Sequence, residues 1–275
     1  MSNFGLSIPM TLIALVSATA ADAQTAMKID GSTGAMPLVA ALAKAYEAKA
    51  PGLNIEIGKG LGTKARIDAL TAGSIDVAVA SHGLKVDDLI KAGMIVDEIA
   101  RTPVVIGVNA GSVPVKNLTH AQVCAIYTGE LSNWGAVGGP DLTIAARTRP
   151  DSEVDAEVAR DGIACLKTVK MPDSVKIMPT GGDMAKELAA TSGAVGMTTT
   201  TVAEQSGGKI AAVSLEGLAP TAESVTAGKY RLVREVFLVI KGDASAATKA
   251  FLSFVKSSDG AKVIQANGAI PNAPK

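Results

Sequence analysis

Residues 27–34, Met27-Lys28-Ile29-Asp30-Gly31-Ser32-Thr33-Gly34, read as a short strand that stops at a glycine and passes through two hydroxyl residues towards a helix predicted over 37–49. Similar junctions recur further along. Gly60-Leu61-Gly62-Thr63 lies between a strand expected over 53–57 and a helix over 64–72. Ser81 closes a strand over 75–80 that carries no charge past Asp76, as a parallel strand buried on both faces requires. Arg149-Pro150-Asp151-Ser152 precedes a helix expected over 153–166. A helix start presents unpaired N–H donors and about half a positive charge, so several such starts gathered at one point suit a small anion.

Working outward, the alternation of strands and helices up to a helix over 86–92 predicts a sheet covered on both faces, with ligands outside the carboxyl ends of its strands. A strand over 103–108 runs into Asn109-Ala110-Gly111, a candidate hinge. A second α/β unit follows, with strands expected over 142–146, 175–178 and 195–198. A long strand over 231–240 then returns to the first unit, and two helices close the chain. The fold class expected is therefore α/β, a two-lobed clamshell. Each lobe has a mixed or parallel sheet flanked by helices, and two hinge crossovers join them. Lobe one is expected to comprise residues 24–107 with 236–275, and lobe two residues 108–235.

Composition narrows the function classes. The 275 residues carry 26 basic and 26 acidic side chains with no basic run, which argues against a nucleic-acid partner. An apolar stretch over 6–20 is too short for a comfortable membrane span, and Ala21-Asp22-Ala23 fits a small-x-small cleavage site. Residues 1–23 are thus expected to be a cleaved signal peptide with a mature start at Gln24, an uncleaved anchor being the other reading. Cys124 and Cys165 suit an oxidising compartment; a disulfide and two buried thiols both stay open. No Cys/His cluster has metal-ligand spacing, and no cofactor or metal is expected.

Five motifs in order resemble the periplasmic phosphate-binding proteins of bacterial ABC transporters, within the type II solute-binding fold. Gly31-Ser32-Thr33 with Pro37-Leu38 is similar to the opening Gly-Ser-Thr…Pro-Leu of that family. Gly73-Ser74-Ile75-Asp76-Val77-Ala78-Val79-Ala80-Ser81 resembles its Gly-Thr-x-Asp-Ile-x-x-x-Ser strand. Leu118-Thr119, Gln122, Ile126-Tyr127, Gly129 and Asn133-Trp134 follow its Leu-Thr-x-x-Gln signature. Gly193-Ala194-Val195-Gly196 resembles Pro-Gly-Ala-Ile-Gly-Tyr, and Phe251, Phe254, Ser257 and Gly260 follow its closing helix pair. The resemblance implies capture of phosphate or a related small oxyanion in the periplasm by a monomer. It also implies delivery to a permease in the inner membrane, with no chemistry performed. A sensor subunit using the same clamshell for another small ligand is the alternative.

The ligand-binding set implied is Ser32, Thr33, Gly34, Thr63, Ser81, His82, Arg149 and Ser152. Ordinary helix caps would use the same hydroxyls. In the second loop Thr63 stands where the family has serine, with Lys64 and Arg66 where it has glycines. His82 follows Ser81 where relatives carry an acid or an arginine; as strand neighbours the two face opposite ways and cannot pair as nucleophile and base. With no activated nucleophile and no metal cluster, catalysis is not expected. The family's Arg-x-x-Gly-Ser-Gly-Thr becomes Arg149-Pro150-Asp151-Ser152-Glu153-Val154-Asp155. A carboxylate about 4 Å from an anion costs about 4 kcal/mol at an effective dielectric of 20. Either these acids turn away, with Ser152 or Asp151 capping the helix and the acids of its first turn complementing the dipole, or the ligand is not a simple inorganic oxyanion.

Overall fold

The computed structural model describes residues 25–81 and 83–272, with Met1; the leader expected over 1–23, the start at Gln24, His82 and the side chain of Thr63 lie outside the described part. The first half of the chain runs β1 (Thr25–Gly31), α1 (Met36–Glu47), β2 (Leu53–Ile57), α2 (Thr63–Thr71), β3 (Val77–Ala80), α3 (Val86–Lys91) and β4 (Met94–Asn109). Next come β5 (Asn117–Leu118), α4 (His120–Thr128), β6 (Ala145–Thr148), α5 (Val154–Gly162), β7 (Lys176–Ile177), α6 (Gly181–Ala190), β8 (Ala194–Thr199) and α7 (Thr200–Gln205). The chain closes through β9 (Ile210–Ala212), β10 (Ser214–Leu215), α8 (Ala222–Thr226), β11 (Val233–Lys241), α9 (Ala246–Val255), α10 (Ser258–Ala266) and β12 (Ile270–Pro271).

The strands follow the order β2-β1-β3-β11-β4-β8-β6-β7. β1 pairs in parallel with β2 and β3, and β6 in parallel with β7 and β8. β11 and β4 run antiparallel to their neighbours and join the two parallel groups into a mixed arrangement. The change of company happens within β4. Up to Pro103 it is paired with β11, and from Val104 onward with β8 and β9. Asn109, in the segment expected to hinge, is anchored instead: its Nδ2 donates to the carbonyls of Leu188 and Ala189 on α6.

Two large apolar cores lie on either side of this junction. One gathers Met27, Ile29, Leu38, Leu42, Val79, Leu238 and Phe251. The other gathers Val105, Ile106, Tyr127, Trp134, Leu166 and Leu232. Trp134 is fully buried and donates its indole N–H to the Gly193 carbonyl at 3.0 Å, so it packs the second core. The helix over 120–128 has a capping box, Thr119 with Gln122, and ends at Gly129 in the left-handed region.

Several boundaries differ from those expected. β4 begins at Met94 because Asp97, Glu98 and Arg101 are carried by ladder pairing with β11 along its whole first half, which an apolar-run reading passes over. The helix expected over 153–166 stops at Gly162, where a Cβ would come within 2.1 Å of Leu232 Cδ2; the chain continues in a 3-10 turn, Ala164–Lys167. The strand expected over 142–146 is shifted to Ala145–Thr148. Among the described residues, no helix is long and apolar enough to cross a membrane.

Of the two readings for the cysteines, the structure has the disulfide. Cys124 on α4 and Cys165 in the 3-10 turn are bridged, with Cα atoms 6.2 Å apart and 41 positions between them in sequence. Closing a loop of that length stabilises the folded chain by about 4 kcal/mol in the chain-entropy account. The double substitution Cys124→Ser/Cys165→Ser is therefore expected to lower the unfolding free energy by about that amount in urea titrations. Adding a reductant should lower the wild type similarly and leave the variant where it is.

Candidate functional site

The loop after β1 is shaped by a close approach. Gly31 has φ +149°, and a Cβ there would sit 2.0 Å from the Val79 carbonyl oxygen, so only glycine fits. Ser32 N–H then donates to that same carbonyl at 2.9 Å, which sets Ser32 and Thr33 across the carboxyl ends of β1 and β3. Neither hydroxyl caps α1. Its N-cap is Ala35, with no side-chain bond, and Pro37 in the first turn needs no N–H partner. The capping alternative thus fails here, and both hydroxyls are free for other work. Asp30 Oδ1 ties the second glycine-rich loop to the first by accepting from Gly31 N–H at 2.7 Å and Gly60 N–H at 2.8 Å.

The group that uses Ser32 is one the sequence reading did not single out. Arg234, near the start of β11, is only 1% exposed. Its Nη2 donates to Ser32 Oγ at 2.8 Å and its Nε to Ser81 Oγ at 3.2 Å. Its Nη1 donates to Asp155 Oδ1 at 2.5 Å. Ser81 in turn donates to the Glu235 carbonyl. Gly34 faces this guanidinium so closely that a Cβ would come within 2.1 Å of Nη1. Arg66 on α2 is also buried, with its Nη1 on the Val79 carbonyl at 3.0 Å, whereas Lys64 is exposed and pairs with Asp68. Of the two basic residues that replace glycines in that loop, only Arg66 enters the site. Burial, and after it the charge of Arg234, lowers the Arg66 pKa from its ordinary value, while Glu153 and Asp30 act the other way.

From the other side, Arg149 follows β6 and is 1% exposed. Its Nη2 donates to Glu153 Oε2 at 2.6 Å and to Thr33 Oγ1 at 3.3 Å, and its Nη1 to the Met178 carbonyl at 2.7 Å. Its Nε is buried without a hydrogen-bond partner. Thr33 Oγ1 donates to Glu153 Oε2 at 3.3 Å, closing a triangle. Glu153 and Asp155 stay at the site, but each is neutralised by a guanidinium, so neither stands as a bare charge against an anion. They point to Arg149 and Arg234, Asp151 pairs with Arg160, and Glu153 is the N-cap residue of α5 without a side-chain cap bond. Thr180 and Asp183 form a capping box at the start of α6. Arg147 stays apart: its Nε and Nη2 hold Glu187 of α6 at 2.9 and 2.7 Å. The buried Tyr127 hydroxyl, its pKa pushed up by burial, fixes the Arg147 carbonyl at 2.9 Å.

A cavity of about 320 Å³ opens beside Ser32, Thr33, Arg66 and Glu153, while Arg149, Arg234, Ser81 and Asp155 stand behind its walls. Ser32, Thr33, Arg66 and the loop from Lys59 to Gly62 line one wall, and Ser152–Val154 with Pro179 and Thr180 the other. The structure thus brings Ser32, Thr33, Gly34, Ser81 and Arg149 into one neighbourhood, with Ser152 at its exposed rim and Thr63 starting α2 nearby. Arg234 was passed over because it sits in a long apolar strand. With Arg231 and Glu235 in the same stretch, no local pattern marks it out. Among the described residues, no group of three or more His, Cys, Asp or Glu is placed to hold a metal ion.

Two parallel groups of strands joined by antiparallel crossovers, with buried guanidinia and hydroxyls meeting at the strand ends, define a two-lobed ligand-binding protein. Residues 17–259 match the PBP superfamily domain, PBP_like_2, and the chain belongs to that superfamily. It is 27% identical over 255 residues to the phosphate-binding protein PstS of Bacillus subtilis (strain 168), covering 90% of this chain and 81% of that one. Its fold matches the X-ray structure described as a phosphate ABC transporter substrate-binding protein with bound phosphate from Clostridium perfringens. That match has a TM-score of 0.72 and 26% identity, and covers 90% of this chain and all of the other. An ABC-type phosphate transport receptor from Vibrio cholerae gives a TM-score of 0.60 at 26% identity, covering 89% and 99%.

The Arg234–Asp155 pair is buried on both sides, so removing one partner strands a charge. Arg234→Met is expected to destabilise the protein by about 3–5 kcal/mol in urea unfolding, and adding Asp155→Leu should recover most of that loss. A change below about 1 kcal/mol in the single variant would contradict the burial described.

Proposed function

We propose that this chain is an extracytoplasmic solute-binding protein that captures phosphate or a related small oxyanion between its lobes for an ABC transporter. The observation that carries the reading is the meeting of Arg66, Arg149 and Arg234, all buried, with the hydroxyls of Ser32, Thr33 and Ser81 at the carboxyl ends of parallel strands. Glu153 and Asp155 are paired with Arg149 and Arg234, and Asp30 with Glu153 acts on Arg66, so the three guanidinia are charge-balanced by neighbouring carboxylates. Guanidinium forks suit tetrahedral oxyanions, and the unpartnered Nε of Arg149 is a charged donor that the protein itself leaves unused. The relatives named as phosphate-binding proteins support the choice of ligand.

In this reading the contacts come from Ser32, Thr33, Gly34, Thr63 and Ser81 on lobe one and from Arg149 and Ser152 on lobe two, with His82 beside Ser81. Residues 24–107 with 236–275 form one lobe and 108–235 the other. Their closure buries the anion, and the closed monomer is presented to a permease in the inner membrane. Binding and release involve no covalent step. A leader removed on export places the protein in the periplasm.

Thermal unfolding against a panel of phosphate, arsenate, sulfate, molybdate and carboxylates tests this. Phosphate at 1,000 times its Kd is expected to add about 4 kcal/mol of stability, and Arg149→Ala to remove most of that gain. A shift with an organic ligand and none with phosphate would refute the assignment.

A further inference from the structure

The seat formed by Ser32, Ser81 and Arg234 already holds a carboxylate. Asp155 comes from the first turn of α5, while Ser32 and Ser81 follow β1 and β3 on the opposite lobe. The Asp155 side chain is 4% exposed, and its Oδ1 takes the Nη1 donor that the two serines leave over. Its other oxygen, Oδ2, packs against Gly34, where a Cβ would stand 3.1 Å away. A carboxylate presents two acceptor oxygens and one negative charge to this seat, the same features by which a small oxyanion would be recognised. The neighbouring arginine shows the same arrangement at lower burial. Glu153 sits against Arg149 and Thr33, so both guanidinia that reach the hydroxyls after β1 and β3 are paired with acids from one helix start.

We propose that Asp155 is the chain's own occupant of the anion seat, so that an incoming anion binds by displacing this carboxylate from Arg234 instead of filling a vacant hole. The proposal rests on the anion-capture reading of the same site and deepens it, because it names the residue that sets affinity. The displaced carboxylate gives up its ion pair with Arg234, so affinity for any anion is the difference between two similar interactions. The occupant also keeps Arg234 paired when no ligand is bound, which a buried guanidinium requires. Removing the charge while keeping the shape tightens anion binding. Removing the whole side chain leaves a hole that a free carboxylate can fill.

The test uses the full chain as wild type, Asp155→Ala and Asp155→Asn. Each is followed by thermal unfolding in sodium chloride, sodium formate and inorganic phosphate at matched ionic strength, and by phosphate titration calorimetry. Asp155→Ala is expected to melt lower than wild type in chloride and to recover in formate, with a shift at least twice that of wild type. Asp155→Asn is expected to bind phosphate at least tenfold more tightly than wild type, a difference of about 1.4 kcal/mol. If Asp155→Ala does not fold in chloride, refolding it in formate reads the same rescue. Formate rescue with no phosphate binding by any form would sustain the occupied seat and overturn the choice of phosphate. Equal phosphate affinity in wild type and Asp155→Asn, with no formate rescue, would overturn the proposal and leave phosphate capture standing.

Discussion

Everything at the cleft is organised around one buried guanidinium. Arg234 donates from each of its three nitrogens, to Ser81, Asp155 and Ser32, and each acceptor comes from a different element. Such a group is tolerated out of water only when its donors are satisfied. The loop after β1, the end of β3 and the start of α5 are therefore fixed by a single requirement. The requirement extends to glycine positions. Gly31 lets the first loop lie against Val79, and Gly34 leaves the space that the guanidinium occupies. A buried ion pair of this kind adds little net stability, because desolvation offsets much of the attraction. What it adds here is register between parts of the chain that are far apart in sequence.

The sequence carries the architecture well and the site unevenly. Strand–helix alternation and the uncharged run after Asp76 were enough to place β1, β2 and β3 and the helices between them, since a two-sided buried strand has a composition of its own. The fold's other half was read with shifted edges, because β6 and α5 are bounded by contacts such as Gly162 against Leu232 that no local pattern encodes. Ser32, Thr33, Ser81 and Arg149 stood out as hydroxyl or arginine residues at strand-to-helix junctions, which is a local signal. Arg234 did not, because its meaning depends on three partners between 79 and 202 positions away. Asp155 and Glu153 were visible as misplaced acids, yet only the tertiary structure says which cations they meet.

Those acids change the character of the cleft. A site built from backbone N–H groups and hydroxyls attracts an anion through dipoles, and stays neutral when empty. Here full charges are gathered instead, the guanidinia of Arg149 and Arg234 paired with Glu153 and Asp155, and Arg66 lying near Glu153 and Asp30. Burial and the nearness of Arg234 already lower the pKa of Arg66, so further positive charge could not be added cheaply. Salt screens exposed charges strongly but reaches buried ones much less, so this cluster keeps its field at ordinary ionic strength.

β4 also sets how the molecule can bend. It is one continuous strand from Met94 to Asn109, yet its partners change between Pro103 and Val104. Proline has no N–H to give to a ladder, so the strand is weakest as a hydrogen-bonded rung at the point where its allegiance changes. The chain crosses between the halves a second time beside this point, with Leu232 in one core and Val236 in the other and Val104 N–H donating to the Leu232 carbonyl, so the two crossings lie side by side as one paired link.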